Sequence, residues 1–365
     1  MEAIQINEFL PSYQSLQPQI IPLPRKPGPG EALVEIHCAA LNHVDLLYVR
    51  GKHQNNVSLI RPPFTLGLEF AGTVLAVGPS PTSNSKSKSK SKPTSTGSTI
   101  EGHVLSPGDR VFGSGLGAYA EQILVPIQAL HRIPASLSFE AGAALGSTVG
   151  VAFGAVIVRG AVREGEWVLV HGAAGGIGVY ACQLAKARGA KVIGGLRDTS
   201  DTAKVQALKE THSIDAVVAT GADSGWEEEV QKITGGRGVD LVIDNVGLVK
   251  ESIRCLKPLG GRIVLVGFAG RAGVMEQLSV NRILLKQAVI IGYRYGDTYR
   301  KNPRESMMIW RGLMALMDSN AVIPIVYKKK YYGLNSVKDA MADLEAKKHY
   351  GKAIIQIKGT TRASL

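Results

Sequence analysis

Residues 171–178 read HGAAGGIG, between an apolar run, EWVLV, and a helix-like run, VYACQLAKARG. Strand, glycine-rich turn and helix in that order form a seat for the phosphates of a dinucleotide. The chemistry is done by the backbone. Gly175 lets the chain approach a pyrophosphate closely, and Gly178 lets the helix pack tightly on the sheet. The helix N-terminus then turns unpaired N–H groups toward the phosphates. Ala173, Gly176 and Ile177 complete the turn. With Ala173 in first place the spacing is A-x-G-x-x-G rather than G-x-G-x-x-G, which is tolerable if that residue does not need a positive φ.

Cofactor choice turns on the end of the next strand. A site for NAD places an Asp or Glu about 20 residues into the motif, on the ribose 2′-hydroxyl. Here that place falls near Leu196, followed by Arg197. A guanidinium suits a 2′-phosphate, so NADPH is the expected cofactor. Asp198 comes one or two residues late, and with Ser200 and Asp201 it reads as the cap of the next helix. Asn245 ends another strand on the same carboxyl edge, where open α/β sheets bind ligands.

No metal cluster is expected. His37, His43 and His53 are close in sequence, but no Cys or second carboxylate joins them at ligand spacing. Cys38, Cys182 and Cys255 form no C-x-x-C pair and read as reduced, buried thiols, which points to a reducing, cytoplasmic compartment.

The elements that must position these residues change character along the chain. Residues 1–78 alternate as strands do, most clearly in EALVEIHCAALN and FAGTVLAVG. Residues 79–98, rich in Ser, Lys, Thr and Pro, contain no aliphatic residue and are expected to form a disordered surface loop. From about residue 135, six apolar, β-branched runs alternate with helical intervals: WVLVHG (167–172), AKVIGGL (190–196), DAVVA (215–219), VDLVIDNVG (239–247), GRIVLVGFA (261–269) and AVIIGYR (288–294). Uninterrupted apolar strands between helices indicate a parallel sheet covered on both faces. After a helix capped around Asn302, the tail VIPIVYKK to KAIIQIK looks like the N-terminal part again. The expected fold is α/β: a split, mostly-β outer domain (1–134 and 321–365) around a central doubly wound parallel sheet (135–320).

Composition narrows the function classes. The chain has 365 residues, 45% hydrophobic and 20% charged, room for two domains. No run approaches the roughly 18 apolar residues of a membrane span. MEAIQINEFL has neither the basic nor the apolar region of a signal peptide, and the final ASL is a weak match to a peroxisomal address. Of the formal net charge of +12, four charges come from SKSKSKSK and three from KKK at 328–330. Such runs are usually solvated, which argues against nucleic acid as the main partner and leaves a small molecule.

Several stretches together resemble the medium-chain dehydrogenase/reductase superfamily, in its zinc-independent quinone oxidoreductase and enoyl reductase branch. They run nearly end to end and include ALNHVDLLYVRGKHQ, PPFTLGLEFAGTV, SPGDRVFG, YAEQILVP, VHGAAGGIG, GVDLVIDNVG, NRILLKQAVIIG and YGKAIIQI. The resemblance implies a GroES-like outer domain, a Rossmann domain, a cleft active site and a homodimer. Zinc-dependent relatives carry a Cys before a Thr/Ser-Asp pair and a His-Glu pair. Here these stretches read LNHVD and GLE, so Cys is absent and Leu68 stands at the histidine position. Glu69 is then left to orient neighbouring backbone.

The resemblance also implies roles for single residues. Asn42 would hold the acceptor or the nicotinamide ribose. His53 stands where many relatives have a proton-donating Tyr; it could donate as imidazolium, or be a plain loop residue, and Tyr48 is the other candidate donor. Thr148, Phe268, Ala269, Asn281 and Lys352 fall where relatives approach the cofactor. The implied reaction is metal-free hydride transfer to a quinone or to the C=C bond of an α,β-unsaturated carbonyl. VIGGLRDTSD is similar to a stretch of enoyl-thioester reductases, so enoyl-thioester reduction is the rival chemistry. A non-catalytic NADPH-binding sensor or RNA-binding protein is the rival of another class.

Overall fold

The computed structural model describes residues 1–79, 99–100, 103–221, 224–270 and 277–358. The serine- and lysine-rich stretch lies outside the described residues, Pro79 excepted. The chain forms two compact units, Met1–Ser147 with Val326–Leu365, and Thr148–Ile325.

In the first unit, alternation in Glu31–Ala40 buries Ala32, Val34, Ile36 and Cys38 on one face. This strand lies at the middle of a mixed sheet ordered Leu130–Arg132, Arg110–Ser114, Glu69–Val77, Glu31–Ala40, Ile354–Gln356 and Tyr331–Tyr332, with Gln122–Pro126 also paired to it. The C-terminal strand Ile354–Gln356 runs antiparallel to it, Ile354 opposite Ala40. That pairing brings the tail home to the N-terminal sheet, as the sequence pattern required.

Among its described residues the second unit holds six strands, and each falls inside one of the six apolar runs: Trp167–His171, Lys191–Leu196, Ala216–Ala219, Leu241–Asp244, Arg262–Leu265 and Val289–Gly292. All neighbours are parallel. Numbered along the chain, their spatial order is 3-2-1-4-5-6, the doubly wound arrangement in which ligands meet the carboxyl ends of the strands. Leu169, Ile193, Val242 and Ile263 form its core with Trp226 and Val230. Asn302 caps the helix Pro303–Asp318, its side chain accepting from Glu305 N at 3.3 Å.

The division between the units differs from the expected 134/135 and 320/321. The helix Phe139–Leu145 belongs to the first unit because it packs on that sheet: a methyl group on Gly142 would lie 3.4 Å from Ala71 Cβ, and Gln356 Nε2 donates to Glu140 Oε1 at 2.7 Å. At the other end, Gln183 fastens residue 323 into the second unit. Its Nε2 donates to Ile323 O at 3.1 Å and its Oε1 accepts from Ile323 N at 2.7 Å.

Candidate functional site

The residue of the glycine turn that needs a positive φ is Gly172, at +59°, one place before Ala173. Ala173 is therefore free of the strain that its methyl group would otherwise bring. It is buried, and its N–H donates to Gly195 O at 3.1 Å, tying the turn to the next strand. Gly175 is exposed and closes the turn with an N–H bond to Gly172 O at 2.9 Å. Gly178 has no room for a side chain: a Cβ there would sit 2.1 Å from Gly172 O and 2.7 Å from Ala173 Cα. The helix Gly178–Ala187 starts here, and no side chain caps it. Gly176 and Ile177, just before it, are partly exposed. An exposed glycine turn running into an uncapped helix N-terminus fits an anionic pyrophosphate.

Past this turn, Leu196 is buried and Arg197 is exposed. Asp198 bends away to accept from Ser200 N at 3.2 Å, and the Ser200 bonds hold its carboxyl below the usual range. Asp201 caps the helix Thr202–His212 through Lys204 N at 3.0 Å. Both carboxylates are thus committed to the start of that helix, as expected.

Asn245 follows the strand Leu241–Asp244, and its carbonyl accepts from Ala269 N at 3.0 Å. Asp244 folds the chain there by accepting from the N–H groups of Val246, Gly247 and Leu248 at 2.8, 2.8 and 2.7 Å. Phe268 is 42% exposed beside Ala269. Thr148 is buried at the first position of the helix Thr148–Phe153, and Asn281 is exposed at the first position of Asn281–Lys286. The second unit therefore carries Thr148, Ala173, Gly175, Gly176, Ile177, Gly178, Arg197, Asn245, Phe268, Ala269 and Asn281. Of these, the turn and the Asn245–Ala269 pair stand at carboxyl ends of adjacent strands.

The remaining four residues belong to the first unit. Asn42 precedes the helix His43–Val49; its amide oxygen accepts from Lys352 Nζ at 2.7 Å and its Nδ2 donates to Glu69 Oε2 at 3.0 Å. Lys352 is only 2% exposed, and its Nζ also reaches Glu69 Oε2 at 2.6 Å. The expectation that Lys352 approaches the cofactor thus meets a side chain already committed to partners in its own unit. Glu69, itself fully buried, also accepts from Ser147 N at 2.8 Å and Ser147 Oγ at 2.7 Å. It orients backbone, as expected, but it also anchors a cation and the Asn42 amide.

Beneath this group is Asp45, which the sequence reading passed over. Its Oδ2 accepts from Tyr119 Oη at 2.7 Å and Asn42 N at 2.8 Å, while its buried Oδ1 has no partner among the described residues. Burial pushes its carboxyl up to about 7 against the pull of those two bonds. The signal available was an Asp three residues after Asn42 in an otherwise apolar helix.

Tyr48 is buried on the same helix, and its ring lies 4.6 Å from that of the half-buried His53. His53 opens the short helix Gln54–Val57, its Nδ1 accepting from Asn55 N at 3.1 Å. A nitrogen that accepts carries no proton, so the neutral ring bears its proton on Nε2. The imidazolium, one of the readings that the sequence leaves open for His53, would forfeit that bond.

The donor set does not fit zinc. Around Glu69 stand an ammonium, an amide and Leu68, and among the described residues no three His, Cys, Asp or Glu side chains group to hold a metal.

Two family models match the chain: an alcohol dehydrogenase GroES-like domain over residues 28–135 and a zinc-binding dehydrogenase over residues 176–311. Among curated relatives, the quinone oxidoreductase of Sus scrofa is 32% identical, covering 74% of each chain. The quinone oxidoreductase-like protein 2 of Mus musculus is 30% identical, covering 92% of this chain and 87% of its own. A mycobacterial protein solved in complex with NADPH superposes with a TM-score of 0.81 at 26% identity, over 98% of this chain and 99% of its own. The glycine turn, the doubly wound sheet and these likenesses agree, and the chain belongs to the medium-chain dehydrogenase/reductase superfamily, in its quinone oxidoreductase branch.

Proposed function

We propose that the protein is an NADPH-dependent, zinc-independent reductase that delivers hydride to a quinone or to the activated C=C bond of an α,β-unsaturated carbonyl. The observation that carries the reading is the Gly172–Gly178 turn, exposed at Gly175 and leading into an uncapped helix, with Arg197 and no available carboxylate at the end of the next strand. The names of the curated relatives and the NADPH of the mycobacterial neighbour support it.

Bound NADPH supplies the hydride. The chain's own task is to hold the acceptor and manage charge and protons. Hydride addition to an enone leaves an enolate, which must be stabilised and protonated at carbon. Asn42, braced by Lys352 and Glu69, would hold the acceptor, and Tyr48 and His53, whose rings lie 4.6 Å apart, are the two candidate proton donors. In zinc-dependent relatives a Lewis acid stabilises the alkoxide formed from a simple carbonyl, and the donor set around Glu69 does not fit one. Quinones and enones are therefore expected to be turned over in preference to aldehydes and saturated alcohols.

The test is an NADPH-oxidation screen against quinones, enones, enoyl thioesters and simple aldehydes, run with and without prolonged chelation. Turnover of quinones or enones, insensitive to chelation, is expected. Preferred turnover of aldehydes, or activity that zinc restores, overturns the reading; preference for enoyl thioesters moves it to the rival chemistry. Tight NADPH binding with silence in every class favours a sensor.

The same reading includes a homodimer. Among the described residues, Val289–Gly292 ends the parallel sheet and pairs only with Arg262–Leu265, leaving its outer edge open. Beside it Val280, Leu284 and Leu285 are 75–79% exposed. An open strand edge next to exposed aliphatic side chains suits pairing with a second copy across a two-fold axis. No single helix among the described residues is long and apolar enough to cross a membrane. The three buried free thiols support a cytoplasmic setting.

A further inference from the structure

We infer that Asn55 is the positioning residue that makes Tyr48, rather than His53, the proton donor of enone reduction; this rests on the reductase reading above. Asn55 touches both candidates with two different donors. Its main-chain N–H goes to His53 Nδ1 at 3.1 Å, and its side-chain Nδ2 goes to Tyr48 Oη at 2.9 Å. The first bond fixes His53 as the neutral tautomer and works against the imidazolium, the only form of His53 that is a competent acid near neutrality. A neutral imidazole gives up its Nε2 proton far less readily than a phenol does. The second bond has the opposite sense: an N–H aimed at the phenolic oxygen supports the negative charge left when the hydroxyl proton departs.

Asn55 is itself held in place by its neighbours. His53 N donates to Asn56 Oδ1 at 3.0 Å and Asn56 Nδ2 donates to Ile60 O at 3.0 Å, which fixes the turn that carries both residues. Tyr48 packs against both the His53 and Phe64 rings, with centroids 4.6 and 6.3 Å away, which restrains its own ring. In the reaction, bound NADPH would supply the hydride for the new C–H bond at the β-carbon, and the C=C electron pair would move into the enolate. The Tyr48 O–H bond then breaks, its proton joins the α-carbon, and Asn55 Nδ2–H stabilises the tyrosinate until solvent returns a proton. NADP⁺ and the saturated carbonyl are the products.

Asn55→Asp tests this with little change of shape. The main-chain N–H remains, but the side chain can no longer donate to Tyr48. The ratio of enone to quinone turnover should fall about tenfold or more, the worth of one hydrogen bond to a charged group. In a Tyr48→Phe background the same substitution should change that ratio less than about twofold. The solvent isotope effect on enone reduction should rise in Asn55→Asp as protonation slows. His53→Ala should lower the ratio less than Tyr48→Phe. In the free protein, Asn55→Asp should shift the tyrosine near-ultraviolet band, and not in the Tyr48→Phe background. Additive losses in the two backgrounds, an unmoved isotope effect and tyrosine band, or a larger loss from His53→Ala overturn the inference while the reductase reading stands. A wild-type protein silent with every acceptor removes both.

Discussion

The ammonium of Lys352 and the carboxylate of Glu69, 283 residues apart in the chain, meet at 2.6 Å where both side chains are out of water. A buried ion pair is a weak net stabiliser when intact, but removing one partner leaves an uncompensated buried charge. Lys352→Met is therefore expected to lower the unfolding free energy by about 3–5 kcal/mol. Lys352→Met combined with Glu69→Gln should recover much of that loss. Urea unfolding of the two single variants and the double variant measures the coupling; an additive double variant would mean that the pair carries no joint role.

Asp45 gives the fold a pH dependence of definite sign. Its carboxyl is raised to about 7 in the folded protein, so the folded state holds a proton that the unfolded chain releases near the ordinary carboxylate pKa of about 4. The stability linked to that proton is fully present below about pH 4 and lost as pH rises toward about 7. A change of this size is worth on the order of 4 kcal/mol. Asp45→Asn keeps an acceptor for Tyr119 and removes the titration. The gap between wild type and variant should move in the variant's favour between about pH 4 and pH 7. Parallel stability curves across that range would show that Asp45 is ionised in the fold.

Much of this architecture was legible because local pattern and tertiary role coincide. Strands such as Leu241–Asp244 are buried on both faces, so they read as unbroken apolar runs, and the Asn302 cap is written in the residue that makes it. The seat of the glycine turn was also legible, although the positive φ sits at Gly172 and not at the first motif position. The first unit's polar group was not. Asn42 and Lys352 are 310 residues apart, and no spacing rule links them. The proton donor that we infer was hidden for the opposite reason: it turns on two donors of Asn55, its backbone N–H to His53 and its Nδ2 to Tyr48, whose directions no residue type specifies. The unit boundary was misplaced because the helix Phe139–Leu145 has helical periodicity but packs on the β-rich unit.

Arg197→Ala should raise the Michaelis constant for NADPH about tenfold or more and leave that for NADH nearly unchanged. A charge-assisted contact to a 2′-phosphate is worth roughly 1.5–3 kcal/mol, and NADH has no such group. Steady-state kinetics with both cofactors decides it. Equal use of NADH and NADPH by the wild-type protein would sink the assignment.

Gly178→Ala should impair dinucleotide binding more than it impairs folding. The added methyl group would meet backbone, at 2.1 Å from Gly172 O, so the turn rather than a side chain must move. The affinity for NADPH, read by fluorescence titration, should drop at least about tenfold, since the N–H groups that face the phosphates move with the turn. An unchanged affinity would mean that the phosphates bind elsewhere.

The open edge of the parallel sheet gives the last prediction. Leu285 is 79% exposed next to the unpaired side of Val289–Gly292, so replacing it removes almost no packing from the isolated chain. In a dimer built on that edge, each Leu285 would be buried by the partner copy, and a carboxylate there would have to be desolvated without a counter-ion. Leu285→Glu should therefore leave the far-ultraviolet circular dichroism of the chain intact while converting a dimer to a monomer in sedimentation velocity. The melting temperature should rise with protein concentration in the wild type and be independent of it in the variant. A wild-type monomer, or a dimer indifferent to the substitution, would show that the exposed edge is not the contact between copies.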